Sequence, residues 1–205
     1  MIGVIDYGMG NLFSVSEALK RLDVPFFVSE KPEELGKADG LILPGVGAFK
    51  DAMVILNESG ISDFIQDYVK TGKPLLGICL GMQLLFEESE EGGLSKGLGL
   101  LPGRVEKFPG TSELGETYKV PHMGWNKLKW VNPSPITKDL EEDYAYFVHS
   151  YYVKTDNPEI IIGNASYYEE VPAVVGRDNI YGMQFHPEKS STLGVQLLTN
   201  FTKLI

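Results

Sequence analysis

A chain of 205 residues with 43% hydrophobic and 22% charged positions has the balance of a folded protein with a sizeable core, which excludes a disordered segment or a coiled coil. Its 28 acidic residues against 18 basic ones leave a net charge of −10, which disfavours a phosphate backbone or an anionic membrane surface as partner. No apolar run approaches the roughly 20 residues that span a bilayer, and a single cysteine cannot form an internal disulfide.

The first residues lack the basic and apolar pattern of a secretory leader, so the reducing cytoplasm is the expected compartment. Residues 2–6 read as a short strand ending in Tyr7-Gly8-Met9-Gly10-Asn11. Asn11 suits the N-cap of a helix with Leu12, Val15, Ala18, Leu19 and Leu22 on one face. Residues 24–28 and 40–43 read as further strands, the second running into Pro44-Gly45-Val46-Gly47. Helical periods follow over 52–56 and 61–69, and residues 74–78 form the strand that leads to the only cysteine. From Leu80, the pattern of Met82, Leu84, Leu85 and Phe86 against Gln83, Glu87 and Glu88 predicts a helix. Strands alternating with helices imply an α/β fold: a mainly parallel central sheet flanked by helices, with functional loops at the strands' carboxyl ends. After Glu90, clustered Gly and Pro predict loops and antiparallel hairpins, with β-rich stretches at 144–154, 160–165, 173–177 and 181–185 and a closing amphipathic helix over 193–205.

Gly77-Ile78-Cys79-Leu80-Gly81 sets the cysteine in a G-x-C-x-G frame between strand and helix. The two glycines permit a sharp turn and leave the sulfur unshielded, as in the elbow of serine hydrolases, and a helix N-terminus favours thiolate. A lone cysteine is also commonly a small buried side chain, so the pentapeptide leaves both roles open. A thiol nucleophile needs a base, and the chain has three histidines, His122, His149 and His186. His186 follows a strand in Phe185-His186-Pro187-Glu188, where the proline keeps the backbone extended and Glu188 can hold the imidazole. The alternative is a surface histidine beside a turn acid. Dispersed histidines and one cysteine do not make a metal site, and no P-loop or dinucleotide fingerprint is present, so no cofactor is expected.

The frames around Cys79 and His186 resemble those of the triad (class I) glutamine amidotransferases, which hydrolyse glutamine and pass ammonia to a synthase. Asp6-Tyr7-Gly8-Met9-Gly10-Asn11, Pro44-Gly45-Val46-Gly47-Ala48-Phe49, Pro121-His122-Met123-Gly124-Trp125-Asn126, Phe147-Val148-His149-Ser150-Tyr151 and His186-Pro187-Glu188-Lys189-Ser190, in that order, are similar to the glutaminase subunits of imidazole glycerol phosphate synthases of histidine biosynthesis. The resemblance implies a flavodoxin-like amidotransferase domain over residues 1–205 with an antiparallel extension. It also implies that Cys79 attacks the glutamine amide to give a γ-glutamyl thioester, that His186 takes the thiol proton and protonates ammonia, and that Glu188 fixes the His186 tautomer. Oxyanion donors would come from the Leu80 N–H and from the 44–47 loop at Val46. Gly47, the Gln83 and Glu87 pair on one helical face, and the backbone at Ser150 and Tyr151 would contact glutamine. Asn11, Met123, Trp125, Tyr146 and Lys189 would face a (βα)8-barrel cyclase subunit in a heterodimer, although Met123 and Trp125 also suit a core. Ammonia would pass through that barrel, where imidazole glycerol phosphate and AICAR are made and the phosphorylated substrate binds.

Many relatives carry three consecutive glycines in the oxyanion loop, whereas here valine stands in the middle, and a β-branched residue resists positive φ. This predicts a formed triad in the isolated subunit and an oxyanion peptide near Val46 that turns on activation by the partner and its substrate. Another glutaminase of the same fold is disfavoured by Val46 and by residues 121–126. A pseudo-enzyme is disfavoured by the complete triad. A cysteine hydrolase acting alone, for example on γ-glutamyl peptides, would be active without any partner.

Overall fold

In the computed structural model, which describes residues 1–205, the chain opens on β1 (Ile2–Ile5), α1 (Leu12–Arg21), β2 (Phe26–Ser29), the single turn α2 (Pro32–Leu35) and β3 (Gly40–Leu43). Helices α3 (Phe49–Glu58) and α4 (Ile61–Lys70), β4 (Leu75–Ile78) and the short α5 (Leu80–Leu84) follow. The remainder is β5 (Phe86–Ser89), β6 (Ser95–Lys96), β7 (Leu101–Lys107), β8 (His122–Trp130), β9 (Tyr144–His149), β10 (Tyr151–Lys154), β11 (Ile161–Ser166), β12 (Glu170–Arg177), β13 (Ile180–Met183) and α6 (Ser191–Thr202).

Nine strands form one sheet in the order β2-β1-β3-β4-β13-β12-β11-β8-β9. From β2 to β13 the neighbours run parallel; from β13 onward they are antiparallel. The α/β class with an antiparallel extension is therefore the observed architecture. Strands β1, β3 and β4 are buried at every position, as strands covered on both faces must be. Their alternation feeds two cores: Leu41, Leu43 and Leu75 pack toward α3 and α4, while Ile42, Leu76 and Ile78 pack toward α1 and α6. A second sheet, β10-β7-β5-β6, lies beyond the α3 side. No helix is long and apolar enough to cross a membrane.

Asn11 caps α1 as expected, its side-chain oxygen accepting from the Ser14 N–H at 3.2 Å. The second strand starts at Phe26 rather than at 24, because Asp23 takes a positive φ of 54° and the Val24 N–H still bonds to Leu19 O of α1. The larger departure follows Leu80. The expected helix through Glu88 stops at Leu84, and Phe86–Ser89 is a strand. The amides of Leu98, Leu100 and Gly99 take the carbonyls of Leu84, Leu85 and Phe86, which a continuing helix would have offered to its own amides. Tertiary pairing outweighs helix propensity there. The stretch expected over 144–154 divides at Ser150 into β9 and β10, which belong to different sheets.

Strands β8 and β9 pair with His122 opposite His149 and Trp125 opposite Tyr146. The two-residue period places both histidines inward, among Phe108, Phe147 and Tyr167. The Tyr151 carbonyl accepts from His149 Nδ1 at 2.7 Å, so His149 Nε2 is the acceptor for His122 Nδ1 at 2.9 Å, and His122 Nε2 accepts from Asn126 at 3.2 Å. Both rings are neutral in this chain of bonds. Burial holds His122 down at about 4, and burial, against the bond to Tyr151 O and with the positive charge that protonated neighbouring imidazoles would carry, holds His149 at about 3. The unfolded chain therefore binds more protons, and this contribution to stability is complete above pH 6.5 and lost as pH falls toward 4. Urea unfolding at the two ends of this window should show the loss, and His122→Gln, which cannot titrate, should show a smaller one.

Candidate active site

The sheet brings the carboxyl ends of β4 and β13 together, and each delivers one reactive side chain. Directly after β4, Cys79 adopts φ 55° and ψ −112°, a conformation that costs on the order of 1–3 kcal/mol for a non-glycine residue. Its N–H is tied to Met183 O at 2.8 Å, and its carbonyl accepts from the Gln83 N–H at 3.2 Å. The flanking glycines serve close backbone approach: a Cβ on Gly77 would come within 2.5 Å of Gly81 O, and one on Gly81 would overlap Leu43 O. Thus the cysteine itself takes the strained turn, and the glycines let α5 settle on β3 and β4. The sulfur side chain is buried, with Cys79 only 8% exposed, and α5 is five residues long, so little helix dipole acts on it.

His186 follows β13. Its Nδ1 lies 2.8 Å from Glu188 Oε1; a carboxylate only accepts, so Nδ1 carries the proton and Nε2 is left for the Cys79 sulfur. The second oxygen of Glu188 is buried without a partner. Burial works to lower the His186 pKa, but its hydrogen bonds to Cys79 and Glu188, with the charges of both, raise it to about 10. His186 is therefore protonated at neutral pH. Its backbone is fixed on β9: His186 N–H donates to Tyr146 O, and Ser190 Oγ donates to His186 O at 2.7 Å while accepting from Tyr146 N–H at 3.0 Å.

The residues expected to stabilise an oxyanion are present but engaged. Val46 N–H donates to Met9 O at 2.7 Å, and Leu80 N–H points to Gly45 O at 3.3 Å. Tyr7, whose phenol burial pushes up, donates from its OH to Pro44 O at 2.9 Å and so anchors the same loop. The positive φ in the loop falls on Gly47, at 102°, and not on Val46. In this state neither the Val46 nor the Leu80 amide is free.

A cavity of about 400 Å³ opens onto Cys79 and His186, bordered by Val46, Gly47, Leu80, Gln83, Ser150 and Tyr151, all named from the sequence. Glu87 is not among them. The helical face expected to carry it beside Gln83 does not exist; Glu87 lies on β5, exposed, and accepts from Gly103 N–H at the edge of a separate groove. The carboxylate that does reach the cavity is Glu91, whose Oε2 accepts from Phe49 N–H at 2.9 Å. His149, Pro121 and Val148 also line it. Glu91 sits in a run of acids before Gly92-Gly93, and nothing in its spacing distinguished it; the turn after β5 brings it back.

Outward-facing side chains on β8 and β9 form an apolar patch near the cavity mouth. Met123 is 61% and Trp125 53% exposed, so core packing is not their role. Trp125 packs edge-on against Tyr146. Lys189 is exposed and makes no ion pair, and Asn11 is the cap of α1, beside Phe13, which is 75% exposed.

Residues 3–204 match the family model of class I glutamine amidotransferases. The chain is 64% identical over its full length to the imidazole glycerol phosphate synthase subunit HisH of Halalkalibacterium halodurans, covering 96% of that protein. It is 62% identical to the HisH subunit of Bacillus licheniformis, over 98% of this chain and 95% of that one. A solved glutamine amidotransferase superposes with a TM-score of 0.76 at 24% identity, covering 99% of this chain and 97% of the other, and so shares the fold. With a cysteine, a histidine and a glutamate gathered on such a sheet and a family match from end to end, the chain belongs to the class I glutamine amidotransferases, among the HisH subunits of imidazole glycerol phosphate synthase.

Proposed function

We propose that this subunit hydrolyses L-glutamine through a Cys79 thioester and delivers the ammonia to a (βα)8-barrel cyclase that makes imidazole glycerol phosphate and AICAR. The observation that carries this reading is the meeting of Cys79 and His186, the latter held by Glu188, at one cavity whose other walls offer Gln83, Glu91 and the edge between β9 and β10. The Cys79 sulfur, its proton taken up by His186, attacks the side-chain amide carbon of glutamine, the C–N bond breaks, and that proton passes from His186 to the departing ammonia. Water, losing a proton to His186, then attacks the thioester and releases glutamate, and Cys79 regains its starting state. Glu188 keeps the His186 ring in one tautomer throughout. Glu91 supplies the negative charge that an α-amino group seeks. We place this chemistry in the cytoplasm, where a lone reactive thiol stays reduced.

The engaged oxyanion donors support activation by the partner. For Val46 to serve the tetrahedral intermediate, its peptide must leave Met9 O, and Gly45 O must release the Leu80 N–H. Met9 precedes Asn11 and Phe13 by a few residues, so a partner seated on the start of α1 and on Met123 and Trp125 lies close to the loop it must move. A hydrolase working alone has no use for a blocked hole.

Cys79→Ala in complex with the cyclase should abolish glutamine-dependent synthesis while synthesis from ammonium salt persists; loss of both would make Cys79 structural. Glutaminase turnover of the free subunit should lie at least about 100-fold below that of the activated complex, the size of one missing oxyanion donor. Near-maximal turnover without the partner would refute the blocked-hole reading. Trp125→Ala should weaken association with the cyclase by about tenfold or more in a calorimetric titration and leave the unfolding midpoint of the free subunit nearly unchanged.

A further inference from the structure

We propose that Gln184 is a further catalytic residue, donating a hydrogen bond from its side-chain amide to the Cys79 sulfur. Gln184 is fully buried between Met183 and Phe185, both themselves fully buried apolar side chains, in a stretch where a leucine or methionine would pack at no polar cost. Its side chain makes two polar contacts, to Gln83 and to Cys79, and these settle which way the amide faces.

The assignment starts at a group with no choice. The Tyr151 carbonyl can only accept, and Gln83 Nε2 lies 3.0 Å from it, so Gln83 presents its NH2 on that side. The same nitrogen is 3.0 Å from Gln184 Oε1, which must then be the oxygen. This leaves Gln184 Nε2 as the atom facing Cys79 Sγ, 3.9 Å away. The carbonyl at the start of the series is itself held by His149, and His149 by His122, so the series is anchored at its Tyr151 end. The N–H···S contact is long in this state. A donor aimed at sulfur gains strength when the sulfur is charged, so it favours the form that attacks and weakens when the thioester forms.

The proposal rests on Cys79 being the nucleophile, and the tests separate the two. In the full-length chain, the rate of Cys79 alkylation by iodoacetamide is measured against pH for wild type, Gln184→Met and Gln184→Glu. At neutral pH, Gln184→Met should react about tenfold more slowly, the scale of one lost hydrogen bond to a charged group. Gln184→Glu should be slower still, because it sets a carboxylate against the sulfur. In the complex with the cyclase, Gln184→Met should lower kcat for glutamine by a similar factor and leave KM within about twofold, a split that a packing defect would not produce. A folded Gln184→Met whose alkylation profile overlays that of wild type overturns the proposal. If the variants do not fold, the side-chain amide protons of Gln184 in wild-type protein decide it: they should shift with the same pH midpoint as alkylation, and their failure to do so is equally fatal. Glutamine-dependent synthesis by Cys79→Ala would instead remove the nucleophile reading itself.

Discussion

The pairing of β4 with β13 is the constraint on which the site depends. Their parallel register sets Ile78 beside Met183, so the residues that follow, Cys79 on one strand and Gln184 to His186 on the other, leave the sheet side by side. The Cys79 N–H closes the last bond of this ladder on Met183 O. A shift of one residue would turn every side chain to the opposite face and separate sulfur from imidazole. Cys79 and His186 lie far apart in the chain, yet their approach needs no long-range device beyond two neighbouring strands of a buried sheet.

The strained turn at Cys79 is sustained by backbone packing of unusual closeness. With no Cβ at Gly77 or Gly81, α5 approaches Leu43 O and the carboxyl ends of β3 and β4, and the same approach sets Leu80 N–H against Gly45 O. The turn that presents the sulfur therefore also positions the carbonyl that engages the Leu80 N–H. The proposed opening of this loop exchanges a few backbone hydrogen bonds, each worth roughly 0.5–1.5 kcal/mol net, for contacts made with a partner. Shifting such an equilibrium from 1:99 to 99:1 takes about 5.5 kcal/mol of differential binding, which an interface with an aromatic anchor such as Trp125 can supply.

Much of this was legible in the sequence where one local rule decides the outcome. Four-residue apolar runs gave β1, β3 and β4, Asn11 gave the cap of α1, and the frames around Cys79 and His186 pointed to two side chains that meet at one cavity. What stayed hidden depends on distant pairing. The helix expected through Glu88 is cut off because residues 97–101 take its carbonyls, and that moved Glu87 out of the site and brought Glu91 in. Similarly, 144–154 reads only as β-rich by composition, and the change of sheet at Ser150, which makes its backbone a wall of the cavity, is set by distant pairing. Gln184 lay within a motif dominated by His186, and its role follows from amide orientations that no spacing encodes.

The β8 and β9 ribbon unites recognition and positioning through its two-residue period. Outward, Met123 lies across from Val148 and Trp125 from Tyr146, forming the exposed apolar patch. Inward, His122 and His149 hold the Tyr151 carbonyl, and through Gln83 that carbonyl orients Gln184. The backbone of Tyr146 meanwhile clamps His186 and Ser190. The exposed outer patch thus lies on strands whose inner face and backbone hold His186 and Gln184. Because the histidines are neutral and each bond in the series has a fixed direction, the ribbon beneath the exposed patch is joined by one continuous series of hydrogen bonds to the side chains around Cys79.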